Sequence, residues 1–344
     1  MRRGLIRWDA DELPVSVLRE RVHRLQSAMA DAGLDAVVLY TNFIRCAAVS
    51  WLTGFSPYWG DGIVVVTREG QPLLSTMLSK RMEGWIQSVM PAAAVATSPA
   101  PGKVVGTKLT EAGAGRVGVV EADDFPSGHY SDLAAASPNV LFADGTAVFA
   151  QARSPADEAE RRLLSRADEI AAGALSALIG LAPRTAGDAA AAVEKKARLD
   201  GAEEIYVAIA ADLDQSRTFL RLSGSHALGR RFAVRATVAY KGSWVRRIRT
   251  FSQDPQDLPV LRRADAWFAE LIATARPEKL SDEIGRQATA LPKATLQSWF
   301  AEAPVGTRPL STVSANNAAP ARILTAALDI GTMPWCGAAL MRFP

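Results

Sequence analysis

Arg217, Arg221, Arg230, Arg231, Arg235, Arg246, Arg247 and Arg249 place eight guanidiniums within 33 residues. A guanidinium stays charged, offers five donors in a flat fork and accepts nothing, so it cannot ligate a metal. Its natural partners are carboxylates and phosphates. Two of the eight stand out by their setting. In Phe232 to Phe251, FAVRATVAYKGSWVRRIRTF, the pattern predicts a strand, a tight turn at Lys241-Gly242 and a second strand. Phe232, Val234, Val238 and Tyr240 then share one face, and Arg235 shares the other with the small residues Ala233, Thr237 and Ala239. A turn near Tyr240 to Gly242 makes Arg235 and Arg246 opposite or diagonal neighbours on that face. Like charges across strands repel, so an acid or an anion belongs between them. Three readings stand side by side: an anion pocket to which Arg217 and Arg221 contribute, salt bridges to acids such as Asp212 or Asp214, and plain solvation. Arg230, Arg231 and Arg247 read as solvated surface.

Other chemistry is sparse. The chain has three histidines. His226, in Ser223-Gly224-Ser225-His226, is a candidate acid/base, although the sequence offers it no evident carboxylate partner. His23 and His129 read as structural or surface residues. Cys46 and Cys336 form no CxxC pair and read as reduced thiols. A reactive Cys336, in a turn at Trp335-Cys336-Gly337, is the lesser alternative. The loop Trp51 to Trp59 is rich in aromatics, which serve either the core or a contact surface.

The elements that must position these groups form two blocks, 1–150 and 151–344. The first alternates helix and strand: a helix from Pro14 to Gly33 with Leu18, Val22, Leu25 and Met29 on one face, and strands at Asp35–Tyr40, Ile63–Thr67, Gln71–Thr76, Arg116–Glu121 and Val140–Ala143. Ser79 to Val89 reads as a further helix. This is the signature of a layered α/β domain. Ser154 and Pro155 are suited to cap and open a long helix that runs to about Leu181. Another helix follows, Ala186 to Leu199, and then the strands Glu204–Ala210, Phe232–Tyr240 and Trp244–Phe251. The order helix, proline, helix around Pro183 recurs around Arg276-Pro277, which suggests a duplicated α+β half-fold. A net charge of +3, from 39 basic and 36 acidic residues, is too mild to imply nucleic acid or membrane as a partner. The N-terminus lacks the apolar run of a secretory signal, and no stretch approaches the roughly 18 apolar residues of a membrane span. The expected location is the cytoplasm.

Taken together, the motifs resemble the creatinase/aminopeptidase P family of pita-bread enzymes. Ala32-Gly33-Leu34-Asp35-Ala36, Asn42-Phe43-Ile44-Arg45 and Trp51-Leu52-Thr53-Gly54-Phe55 resemble its N-terminal domain. Ser154-Pro155-Ala156-Asp157-Glu158 with Arg161 and Arg162 resembles the start of its catalytic domain, and Gly242 to Thr250 its metal hairpin. The resemblance implies an α/β creatinase-like N-terminal domain and a shortened α+β pita-bread domain. It also implies that Arg235 and Arg246 stand where the family carries two metal-binding aspartates. The family's histidine and two glutamate ligands have no evident counterpart, with Val305-Gly306-Thr307-Arg308 the nearest match to its Gly-His-Gly run. The expectation is therefore a chain without metal or cofactor, a binding or partner subunit with an Arg-lined pocket for a small anion. Dimerisation, with itself or with an active homologue, is a family expectation, and there Tyr58 and Trp59 cap a ligand site or bury at an interface. A creatinase-like, metal-independent enzyme acting on a C–N or amide bond, using His226, is the alternative. A metallopeptidase with unrecognised ligands is the least favoured reading.

Overall fold

Gly33 adopts φ 65°, a left-handed conformation that costs glycine little, and it turns the end of α1 (Val15–Asp31) into β1 (Ala36–Asn42). Leu18, Val22, Leu25 and Met29 of α1 are buried, as their spacing requires. The computed structural model describes residues 7–276, 279–303, 311–312 and 322–341. It divides into two units, one up to Glu160 and one from Arg161. The first unit continues with α2 (Ala47–Thr53), β2 (Asp61–Thr67), β3 (Leu73–Thr76), α3 (Glu83–Val89), β4 (Ala94–Thr97) and α4 (Pro101–Glu111). β5 (Arg116–Val120), α5 (Ser127–Ala136), β6 (Leu141–Asp144) and α6 (Thr146–Arg153) complete it. Its six strands run β4-β3-β2-β1-β5-β6. β2 and β3 form the expected hairpin, while β1, β5 and β6 are parallel. Both faces of this sheet are covered, one by α1, α2 and α3, the other by α4 and α5. Gly106 lets α4 and α5 touch backbone to backbone: a Cβ there would lie 2.6 Å from the Leu133 carbonyl.

The helix expected over Ser79 to Val89 is a 3-10 turn, Lys80–Met82, followed by α3. The expected opening of the long helix also differs. Ser154 closes α6, and α7 spans Glu158–Ser176, short of Leu181. Its first turn is capped by Asp157, which accepts a hydrogen bond from the Glu160 amide at 2.8 Å. Asp157 is itself held by Arg21, 2% exposed, which donates to both its oxygens at 2.6 and 2.9 Å and to the Trp51 carbonyl at 2.6 Å. Glu160 accepts from the Trp51 indole at 2.8 Å and from Arg153. These bonds tie residues 154–160 into the first unit, so the division falls at Glu160 rather than near 150.

The second unit repeats one plan twice. Its first half is α7, α8 (Ala186–Leu199), β7 (Glu204–Ala210) and the hairpin β8 (Arg231–Tyr240) to β9 (Ser243–Ser252). The second is α9 (Leu258–Thr274), α10 (Leu280–Ala288), β10 (Ala294–Ala303), β11 (Ser311–Thr312) and the hairpin β12 (Ile323–Ile330) to β13 (Met333–Leu340). The recurrence around Pro183 thus marks a real duplication, although Pro277 lies outside the described residues. Lys241 and Gly242 take positive φ, 44° and 76°, as a two-residue hairpin turn demands. The sheet runs β11-β10-β12-β13-β9-β8-β7. One face packs on helices: Phe232, Val234, Ala236 and Val238 against α7 and α8, and Leu324, Ala326, Leu328 and Trp335 against α9 and α10. The halves meet at a thin seam. Ala338 opposite Ile248 is the ladder pair recorded between β13 and β9. Beside it the Thr250 hydroxyl donates to the Cys336 carbonyl at 2.9 Å and accepts from the Cys336 amide at 2.8 Å. Cys336 therefore lies in a strand, not a turn. Both it and Cys46 are buried and form no disulfide. Among the described residues no helix is long and apolar enough to cross a membrane.

Arg231 corrects another expectation. It is 7% exposed rather than solvated. It donates to Asp257 at 2.7 and 2.8 Å and to Asp214 at 3.0 Å, tying β8 to the turn that precedes α9. These bonds hold the Asp257 carboxyl down at about 2, against the upward push of burial. A depressed carboxylate stabilises the fold fully above its unfolded pKa of about 4 and loses that contribution as pH falls through its folded value. The stability advantage of the native protein over Asp257→Asn, read from urea unfolding, is expected to hold from pH 7 to about 4 and to shrink between about 4 and 2. A gap that stays constant down to pH 2 would show that the pair does not carry it.

Candidate functional site

Register decides which side chains meet. Arg235 pairs with Ala208 on one side and Ile248 on the other, and Arg246 pairs with Thr237. Arg235 and Arg246 are thus diagonal neighbours on the sheet face opposite the one that packs on Val234 and Val238. The expected like-charge juxtaposition is real, and so is the acid that answers it. The acid is Glu302 of β10, not Asp212 or Asp214. One terminal nitrogen of Arg246 lies 2.5 and 2.7 Å from the two Glu302 oxygens. The carboxylate side chain is 5% exposed and the guanidinium 19%. Asp214 serves Arg231, and Asp212 accepts from the Asp214 amide.

Arg235 is left over. Among the described residues its guanidinium has neither a hydrogen-bond nor an ion-pair partner. Its cation lies 5.5 Å from the centroid of the Phe219 ring, a contact of modest strength. Burial pulls its pKa down, the charge of Arg246 adds to that, and Glu302 opposes it. Burial likewise pushes the Glu302 carboxyl up, against the pull of both arginines. With Glu302 ionised, the trio carries one uncompensated positive charge.

Further donors are stranded on the same face. Arg246 Nε, Arg217 Nε and the Thr325 hydroxyl are buried without a hydrogen-bond partner. Thr325 continues the lateral row that runs Arg235, Ile248, Ala338, Thr325. Arg217 lies toward the other end of this face, where it pairs with Asp329 and feels Cys336. Burial lifts the Cys336 thiol up to about 11, so it stays protonated near neutral pH and is a poor nucleophile.

The remaining candidates are not brought to this trio. Arg221 is exposed. His226 is exposed in the loop before β8, where its carbonyl accepts from the Ala186 amide at 2.8 Å. No hydrogen bond or ion pair joins its ring to Arg235, Arg246 or Glu302. Tyr58 and Trp59 belong to the first unit, where Tyr58 packs edge-on against Trp85 at 5.7 Å and Trp59 is 63% exposed. Arg247 binds Asp168 of α7 at 2.6 and 2.7 Å, and Arg230 lies 3.7 Å from Asp254. Val305-Gly306-Thr307-Arg308 lies outside the described residues. The sequence reading missed Glu302, 56 residues from Arg246 and the last glutamate of the chain. The available clue was charge alone: a pair of facing arginines needs an acid.

These groups do not fit a divalent metal pair. Two guanidiniums occupy the hairpin and repel cations, and the single carboxylate is already held at both oxygens. Among the described residues no group of three or more His, Cys, Asp or Glu side chains could hold a metal.

Comparisons place the fold. Residues 21–154 match the creatinase/prolidase N-terminal domain family. The whole chain superimposes on a Xaa-Pro dipeptidase from Bacillus anthracis with a TM-score of 0.69 at 15% identity, covering 95% of this chain and 98% of that one. It does the same on a prolidase from Pyrococcus horikoshii, with a TM-score of 0.68, 15% identity and coverage of 93% and 94%. A dipeptidase PepE from Mycobacterium ulcerans gives a TM-score of 0.64 at 17% identity, over 97% and 93% of the two chains. A search of curated proteins by sequence finds no significant match. Residues 21–154 thus carry a creatinase/prolidase N-terminal domain, and the chain shares its pita-bread fold with prolidases and Xaa-Pro dipeptidases.

Removing one partner of a buried pair strands the other charge, so Glu302→Gln is expected to destabilise the protein by about 3 kcal/mol. Adding Arg246→Met should restore much of that loss, with a coupling on the order of 2 kcal/mol in a double-mutant cycle read by chemical denaturation. Simple additivity of the two changes would dissolve the pair as a structural unit.

Proposed function

We propose that the chain is a non-peptidase member of its family whose former metal face binds a small monoanion, such as a carboxylate, on Arg235. One observation carries this reading: four groups of that face are donors that no acceptor meets. They are the Arg235 guanidinium, Arg246 Nε, Arg217 Nε and the Thr325 hydroxyl. Buried donors left without acceptors cost roughly 1–3 kcal/mol each, and an incoming oxyanion satisfies them. One net positive charge calls for a single negative one. Arg246, neutralised by Glu302, then acts as a rigid wall rather than as the principal ligand.

In this reading the protein works as a binding or partner subunit, as a homodimer or beside an active homologue. The exposed Trp59 is a suitable contact residue. It catalyses no Xaa-Pro cleavage, because no nucleophilic water is generated without a metal pair.

The test is thermal stability on titration with acetate and succinate. Native protein is expected to gain stability as the anion saturates it, and Arg235→Ala to gain none. Addition of Mn2+ or Co2+ should neither bind nor elicit hydrolysis of an Xaa-Pro dipeptide. Equal anion stabilisation of the native and Arg235→Ala proteins, or metal-dependent peptidase activity, would reject the reading.

A further inference from the structure

On the opposite, helix-bearing face of the second unit, α7 and α9 do not close over the seam between β9 and β13. A cleft of about 260 Å3 remains, near the small end of the range for ligand sites, roughly 300–1,000 Å3. Its floor is β9 and β13, and its walls are α7 and α9. Leu175, Phe268 and Ile272 supply an apolar side, while Arg249 and Asp265 supply charges of opposite sign.

That ion pair is poorly consummated. Arg249 and Asp265 approach only to 3.3 Å through one nitrogen, a single long contact. By contrast, its neighbour Arg247 holds Asp168 through two bonds of 2.6 and 2.7 Å. Asp265 is nevertheless fixed in place, since its Oδ1 accepts from the Trp335 indole at 3.0 Å. Both side chains are about one-third exposed, 35% and 31%, so each presents unused capacity to the cleft. The guanidinium keeps a free donor edge, and the carboxylate keeps free lone pairs.

We infer that this cleft binds the zwitterion of an apolar amino acid. Its carboxylate lies along the free edge of Arg249, its ammonium on Asp265, and its side chain against Leu175, Phe268 and Ile272. The match is one of charge as well as shape. Arg247 is neutralised by Asp168, and Arg249 and Asp265 cancel, so a ligand of no net charge with separated poles leaves nothing uncompensated. A simple carboxylate would face Asp265, and a simple amine would face Arg249.

Isothermal titration calorimetry with L-leucine tests the inference. N-acetyl-L-leucine lacks the ammonium and L-leucinamide lacks the carboxylate. Each is expected to bind about tenfold more weakly or worse, since one charge-assisted contact is lost. Arg249→Met keeps the apolar stem, and Asp265→Asn keeps an acceptor for Trp335. Both should weaken leucine to a similar degree while remaining folded by circular dichroism. Ala269→Trp, on the cleft wall, should block binding by filling the space. Arg235→Ala should leave leucine binding intact, which separates this site from the anion site on the other face. No heat with leucine, a blocked analogue that binds as tightly as leucine, or loss of binding in Arg235→Ala instead of Arg249→Met would overturn it.

Discussion

The Arg246–Glu302 pair is the constraint around which the second unit is arranged. It joins β9 of one half to β10 of the other, reaching past β13 and β12. The halves are also joined by a ladder pair, a threonine hydroxyl, a shared apolar cluster and the pairs Arg217–Asp329 and Arg231–Asp257, but the Arg246–Glu302 bond spans two intervening strands. Such a pair is not stabilising by default, since two desolvated charges only break even when their geometry is good. Here a single arginine nitrogen lies within hydrogen-bonding reach of both carboxylate oxygens. The arrangement also has a consequence beyond stability. By holding both oxygens of Glu302, Arg246 leaves Arg235 unmatched.

Three other buried or half-buried arginines of the unit are matched with acids. Arg231 has Asp257 and Asp214, Arg247 has Asp168, and Arg217 has Asp329. Against this background the bare guanidinium of Arg235 and the loose contact of Arg249 are the two departures, and they lie on opposite faces of the same hairpin. Alternation along a strand forces that separation, because residues 235 and 246 face one way and 247 and 249 alternate about them. One hairpin can therefore present an anion-seeking surface on one side and a dipolar cleft on the other. The two sites share a backbone but no side chain.

Local chemistry was legible in the sequence. The Lys241-Gly242 turn, the alternation of Phe232, Val234 and Val238, and the apolar stripe of α1 each depend on residues a few positions apart, and each is found in place. The helix over Ala186–Leu199 was read to its ends because Thr185, whose side chain accepts from the Asp188 amide, starts it and Asp200 and Gly201 stop it. Long-range pairing was not legible. Asp157 rather than Ser154 caps α7 because a buried Arg21 136 residues away fixes it. Arg231 looked like surface because its acids, Asp214 and Asp257, lie 17 and 26 residues off. β10, β12 and β13 left a weak trace, since small residues such as Ala326, Ala327 and Ala338 give little hydrophobic contrast.

Arginine at positions 235 and 246 makes a different demand from a neutral residue. Asparagine or alanine at positions 235 and 246 would leave a neutral, collapsed face. Arginine keeps a demand for partners, and those partners are oxyanions. Small neighbours, Ala208, Ala233 and Thr237, leave room above the strands, and the cost of holding Arg235 half-buried and unpaired persists in the unliganded protein. Such a cost is retained where it is recovered on binding. The fold shared with prolidases at 15% identity supplies the sheet that holds both guanidiniums, and Glu302 limits the excess of the trio to a single charge.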